Sequence, residues 1–378
     1  MALRRIVEEA ALRGVPAIVV DCNNDLARLG QPWPAKPDPW SAEDEAKARR
    51  YRRDVEVVIW TPLLSRGNPL NLAPIPDFSA VVDDADALRT AVSMVTATLR
   101  PYAIPGGGQA AQLREGILTH AVHYFATHGA GTLDDLIALL SELPDEATGD
   151  ITDAATHAQR MADQLRSSMA RNPLLAASGP TLDPATLFLG SADKTRISVI
   201  NLSGLPSDEQ RQSFVNQLAM TLFAWIRKHP ARAERPLQGL LVIDEAQNFV
   251  PSQGGGVSKP SLMQLTQQAR KYGLGLIFAT QMPKGIAHQI LSNCTTQMFG
   301  KQNSPTAIGT VQELLSAKGG EGNDVPRLSR GQFYMHTEGF ARPVKVHTPL
   351  CLSHHPATPP SEHDVVDLAR RSINADDK

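Results

Sequence analysis

The sequence predicts an α/β protein built on a mostly parallel sheet and interrupted by an all-α insertion. Short, largely apolar runs at Val15–Val20, Val55–Trp60, Arg196–Leu202, Leu240–Ile243 and Leu274–Thr280 have the pattern of strands buried on both faces. Segments of helical spacing alternate with these runs, and that alternation gives parallel strands joined by crossover helices. Between about residues 83 and 190 the strand signal stops and a 3.6-residue period takes over.

The chain has 378 residues, with 37 Lys+Arg against 39 Asp+Glu and a formal net charge of −2. This removes a general basic coat as a reason to expect nucleic acid, though it leaves room for a local basic channel. A hydrophobic share of 42% with 20% charge excludes wholesale disorder. Three distant cysteines, Cys22, Cys294 and Cys351, imply no disulfide framework. No apolar run approaches the roughly 18 residues that span a bilayer, and Glu8 and Glu9 break any signal-peptide core. The expectation is a cytoplasmic protein with no transmembrane segment.

A helix over residues 3–13 carries Leu3, Ile6, Val7, Ala10 and Ala11 at helical spacing and ends at Gly14. The run that follows ends in Asp21-Cys22-Asn23-Asn24-Asp25. Residues 31–40, with four prolines and two tryptophans, form a loop. Ser41 caps a helix to Asp54, acidic in its first turn and basic from Lys47 to Arg53. Leu88, Val92, Val95 and Leu99 mark the first insertion helix, and Leu113, Ile117, Ala121 and Phe125 the second. Thr132 caps a third helix that runs to Pro144; Met161, Leu165 and Met169 mark a fourth that stops at Asn172-Pro173. A capping box, Ser207 with Gln210, opens a long helix through Trp225. Ser261–Tyr272 reads as a helix, 297–301 as a strand, and Ser304-Pro305 as a helix start. Gly331–His336 and Arg342–His347 form a closing hairpin. The expected divisions are 1–82 and 191–350 for the core, 83–190 for the insertion, and 351–378 for a mobile tail with a short helix.

Ligands of such sheets bind beyond the carboxyl ends of the strands. Leu240–Gln247 places Asp244 and Glu245 there. The first suits a hydrated Mg²⁺, and the second can orient and deprotonate a water. On its own, two acids after an apolar run are equally a structural strand end. Gln281, past the next strand, can contact a phosphate or the attacking water, or simply cap a turn. Arg270 can act as an arginine finger on a neighbouring subunit, or only complement a helix C-terminus. Asp21 and Asp25 can support Mg²⁺ or a nucleotide, or form a turn. The basic run around Tyr51 can touch a DNA backbone, although its acid-to-base polarity fits the helix dipole without any ligand.

These blocks resemble the HerA/FtsK-like P-loop motor ATPases, a group that includes type IV secretion ATPases and conjugative coupling proteins. LLVIDEAQNFVP looks like the family's Walker B strand, and QQARKYGLGLIFATQMPKGI like its arginine-finger helix and sensor strand. GVPAIVVDCNNDLARL, VVIWTPLLSRGNPLNLAP, ISVINLSGLPSDEQRQSFVNQL and RGQFYMHTEGFARPVKV are also similar and stand in the same order. The resemblance implies a RecA-like core, ATP and Mg²⁺ as cofactors, and a homohexameric DNA translocase or helicase acting on double-stranded DNA, with a nuclease or secretion complex as possible partner. By it Asp244 takes the Mg²⁺, Glu245 the catalytic water, Gln281 the sensor role and Arg270 the trans finger. A secretion or conjugation ATPase at a membrane complex is the nearest alternative, and a non-catalytic scaffold subunit the next.

One element of that family pattern is missing. No G-x-x-x-x-G-K-[ST] loop, which cradles phosphates through backbone N–H groups and a lysine, occurs in the sequence. Gly106-Gly107-Gly108, Gly254–Lys259 and Gly300-Lys301 all fail the pattern. The resemblance places the motif just before the helix at residues 3–13, so the expectation is that it lies upstream of Met1 and that this chain alone hydrolyses ATP weakly or not at all.

Overall fold

The computed structural model describes residues 1–71, 75–129, 131–149, 151–171, 182–191 and 193–373. Helix α1 (Ala2–Ala11) leads into strand β1 (Ala17–Asp21), and α2 (Ala42–Asp54) into β2 (Val55–Trp60). Ser41 caps α2 in a reciprocal box with Asp44. With β3 (Thr195–Asn201), β4 (Gly239–Ile243) and β5 (Leu274–Phe278), these strands make a parallel sheet in the order β2-β3-β1-β4-β5.

The insertion supplies α3 (Ala85–Ala103), α4 (Gln109–Thr127), α5 (Leu133–Ser141) and α6 (Ala154–Arg171). Leu99, Ile117, Leu118, Leu136, Met161 and Leu165 form its own core, which reaches the parallel-sheet body through Met220. Asn216 donates to the Thr98 hydroxyl at the same junction. The expected stop at Asn172-Pro173 lies outside the described residues. A short α7 (Pro184–Phe188), capped by Asp183, lies near the end of the expected 83–190 division and has no counterpart in the sequence reading.

Both faces of the parallel sheet are covered, which accounts for its apolar strands. Val20, Ile200, Leu241 and Ile243 pack with α8 (Asp208–Lys228) and α9 (Lys259–Gln268). Val19, Val199 and Val242 pack with Val7 of α1 and Tyr51 of α2 on the other side. The helix expected through Tyr272 ends earlier, at Gln268, and tightens into a 3₁₀ turn over Ala269–Tyr272. Gly273 stops it at φ +78°, where a Cβ would lie 2.2 Å from that of Ala231. Ser207 accepts the N–H of Gln210 as a cap, but Gln210 Oε1 is buried without a partner, so the expected box is only half formed.

After α10 (His288–Asn293), β6 (Thr296–Phe299), β7 (Gln332–Thr337) and β8 (Val344–His347) make an antiparallel second sheet. Its Phe299 and Tyr334 cover Val311 and Leu315 of α11 (Pro305–Ser316). Among the described residues β5 pairs only with β4 and β6 only with β7. Leu276, Ile277 and Phe278 of β5 are therefore half-buried at an edge.

The opposite edge is closed by the C-terminal segment. Helix α12 (Glu362–Ile373) lies along β2, and Ser372 Oγ accepts the N–H of Ile59 at 3.1 Å. Upstream of it, Glu8 is wholly buried and accepts from the backbone N–H of Leu352 (2.6 Å) and Ser353 (2.9 Å). Burial pushes the Glu8 carboxyl up, against these hydrogen bonds and the Arg4 charge. Arg4, also buried, donates to Ser353 Oγ (2.6 Å), His354 O (3.0 Å) and Asp25 O (2.5 Å). One helix turn thus ties residues 350–354 to the loop after β1. Glu8→Ala should cost about 3–5 kcal/mol in denaturant unfolding, because it strands buried donors and an uncompensated Arg4. A loss under about 1 kcal/mol would show that the clasp contributes little.

Candidate active site

The register of the parallel strands sets the site. Asp21 lies opposite Asn201, Val20 opposite Ile243, and Ile243 opposite Phe278. The residues that follow these strands therefore emerge along one rim. Asp244 N–H donates to Val20 O (3.2 Å), Ala279 N–H to Ile243 O (2.9 Å) and Ala246 N–H to Ala279 O (2.8 Å), so the rim is stitched together by backbone.

Glu245 sits at the centre of it. Its backbone is left-handed, at φ +50° and ψ +45°. For a side-chain-bearing residue that costs of order 1–3 kcal/mol and turns the carboxylate back across the strand ends. Oε1 accepts from Asn23 Nδ2 at 3.1 Å and from Gln281 Nε2. Oε2 accepts from Gln247 Nε2 at 2.5 Å. Gln247 is oriented in turn by the Thr280 hydroxyl, which donates to its Oε1 at 2.6 Å while accepting the Met282 N–H at 2.9 Å.

Burial, with the neighbouring Glu245 charge added, pushes the Asp244 carboxyl up to about 6. An uncompensated anionic group of this kind fits a hydrated divalent cation. Among the described residues no group of three or more His, Cys, Asp or Glu side chains is arranged to hold a metal. Mg²⁺ here would rest on Asp244, water and phosphate oxygens, as is usual for that ion. The phosphate cradle itself has no counterpart in the sequence, so these residues fit the metal and the attacking water and do not fit the phosphates.

Asp21 is fully buried and faces protein: it accepts from Asn201 Nδ2 (3.1 Å) and Asn23 N–H (3.3 Å). Burial pushes it up to about 7. It braces the rim from below. Asp25 is half-buried at the start of a 3₁₀ turn, with the Met1 amino group and Asp244 as electrostatic neighbours. Arg270 lies elsewhere. It is exposed in the turn before β5, whose five residues put roughly 17 Å between it and the rim. Among the described residues it makes no side-chain hydrogen bond or ion pair. Much of the basic run of α2 pairs within the protein: Lys47 with Glu9 and Glu43, Arg49 with Glu45 and Arg53 with Asp54, while Arg52 is exposed. Tyr51 is buried and donates to Leu29 O.

Gln281 and Glu245, singled out from separate motifs, meet here, and Asp244 adjoins them. Asn23, Gln247 and Thr280 were not assigned roles from sequence. Their one signal was position: Asn23 and Thr280 stand two residues past β1 and β5, and Gln247 four residues past β4.

The Zot (zonular occludens toxin) family profile matches residues 192–317, which hold Asp244, Glu245, Arg270 and Gln281. The DNA double-strand break repair helicase HerA of Sulfurisphaera tokodaii is 28% identical over 113 residues, 29% of this chain and 23% of that protein. The match thus spans less than a quarter of that relative. The bacterial conjugative coupling protein TrwBdeltaN70 in complex with sulphate superposes with a TM-score of 0.56 at 14% identity, over 94% of this chain and 84% of that one. Residues 192–317 thus resemble the Zot family, and the fold is that of the TrwB coupling protein. Two further structures of TrwB, with ADP and Mg²⁺ (TM-score 0.55, 14% identity, 94% and 83% covered) and with the ATP analogue ADPNP (0.57, 14%, 95% and 83%), share the fold. The parallel sheet described above is a RecA-like α/β core, and no helix of the described residues is long and apolar enough to cross a membrane.

Two pH effects follow. Because the folded values of Asp21 and Asp244 lie above the ordinary carboxylate range, both stabilise the fold below pH ~4 and lose that contribution as pH rises through about 7 and 6. Asp21→Asn should flatten the fall in unfolding free energy between pH ~4 and ~7; an unchanged slope would contradict the assignment. Binding of Mn²⁺, a paramagnetic substitute for Mg²⁺, should weaken about tenfold per pH unit below about 6 and become pH-independent in Asp244→Asn.

Proposed function

We propose that the protein is an ATP-driven motor acting on double-stranded DNA, HerA-like and assembled as a homohexameric ring. The observation that carries this is the meeting of Glu245 and Gln281 at the carboxyl ends of β4 and β5, with Asp244 beside them. Glu245 takes the proton of the attacking water. Asp244 holds a hydrated Mg²⁺, and Gln281 aligns Glu245 and the water. The DNA target is supported by the HerA relative, a DNA repair helicase by name.

Arg270 fits a role in trans. A free guanidinium one strand length from its own Glu245 can serve a neighbour's site across a ring interface.

In an assembly competent for ATP turnover, Glu245→Gln should bind ATP and lower turnover by about 10²–10⁴. Turnover that survives the substitution would remove Glu245 from the mechanism and favour a scaffold subunit. Arg270→Ala should also be inactive, with a loss of about 10³ or more. Mixing it with Glu245→Gln subunits should restore measurable turnover, since some interfaces then pair an intact Glu245 with an intact Arg270. Mixed rings as inactive as the separate variants would contradict action in trans.

A further inference from the structure

In a parallel sheet the turns that enter the strands lie together at one end, here the end opposite the candidate active site. Those turns are basic. Arg50 and Arg52 precede β2, Lys194 precedes β3, Arg13 precedes β1, and Arg232 and Arg235 precede β4; all are exposed. With the strand order β2-β3-β1-β4 they make a row roughly 14 Å wide. We propose that this amino-end face binds the phosphodiester backbone of duplex DNA.

The acids of these turns do not neutralise the row. Asp54 pairs with Arg53 (2.6 Å) and Glu56 with Arg196 (2.7 Å), which leaves Asp193 and Glu234 exposed. Glu9, the partner of Arg13, is shared with Arg5 and Lys47. At the centre of the row three guanidinium groups converge. Arg50 donates to Leu12 O (2.6 Å) and Arg235 to Gly14 O, so two separate turns close on the residues either side of Arg13. These carbonyls end α1, and one N–H of each arginine answers them. A guanidinium has five such donors, so most are left for a ligand.

Guanidinium forks suit phosphate oxygens, which they bind bidentately. The whole chain carries −2, so the surface outside this face is net negative and turns a polyanion toward it. Arg270 and Lys271, before the edge strand β5, stand beyond the row and keep the role in trans to the neighbouring subunit. The face rests on DNA being the partner, as proposed above, and is independent of ATP turnover.

The test is fluorescence anisotropy of a labelled duplex of about 30 base pairs, titrated with this chain from about 50 to 200 mM salt. Among the described residues Arg52, Lys194 and Arg232 make no side-chain hydrogen bond or ion pair, so replacing them should leave the melting temperature near wild type. The triple variant Arg52→Gln, Lys194→Gln, Arg232→Gln should bind at least about tenfold more weakly, with the slope of log K against log salt reduced by about two to three. The variant Arg89→Gln, Arg160→Gln, Lys318→Gln makes the same charge change away from the face and should keep the wild-type slope. A row variant that binds with the wild-type slope overturns this face and leaves the DNA reading standing. A wild-type chain without salt-dependent binding overturns the DNA partner and the face with it. Poly-glutamate that displaces the duplex as well as unlabelled DNA does would make the occupant an acidic protein segment and overturn the nucleic-acid assignment.

Discussion

The parallel register of β1, β4 and β5 is the constraint on which the site depends. It brings three strand ends level, so that residues 23, 244–247 and 280–281 meet although they are far apart in the chain. A one-residue slip of any of these strands would exchange its two faces and carry its terminal polar group away from the rim. The apolar layers on both faces hold that register, with Val20 and Ile243 on one side and Val19 and Val242 on the other. The rim can then carry a concentration of carboxylates that no isolated loop would keep in place.

Much of the core was legible from sequence because its signals are local. Val55–Trp60 is a strand over the expected residues, Ser41 caps its helix, and the hairpin around Glu338-Gly339 forms as read. The carboxylate pair after β4 and the glutamine after β5 were legible for the same reason: each follows an apolar run at once. The end of α9 was misread because apolar spacing continues through Tyr272, whereas Gly273 and its contact with Ala231 tighten the last turn.

The contacts that were not legible are long-range and polar. Asn23 and Glu245 are 222 residues apart, and Glu8 and Ser353 are 345 apart. Nothing in hydrophobic periodicity couples such pairs, and single Asn or Glu residues near strand ends usually form turns. The expected mobile tail, 351–378, begins with Leu352, Ser353 and His354 held by hydrogen bonds to the buried Arg4 and Glu8. The α2 basic run shows the converse: a strong local charge signal that the structure directs in large part to ion pairs within the protein.

The rim combines an acid raised by burial at Asp244 with a carboxylate held by amides at Glu245, the two residues to which the proposed function gives the metal and the water. That placement makes the base assignment testable by structure. The most direct measurement is the structure of the assembled protein with Mg²⁺, ADP and aluminium fluoride, which mimic the transferring phosphoryl group. The account predicts Glu245 within about 3 Å of the apical water, with Gln281 still beside it. An apical water held by another side chain, with Glu245 out of its reach, would contradict it.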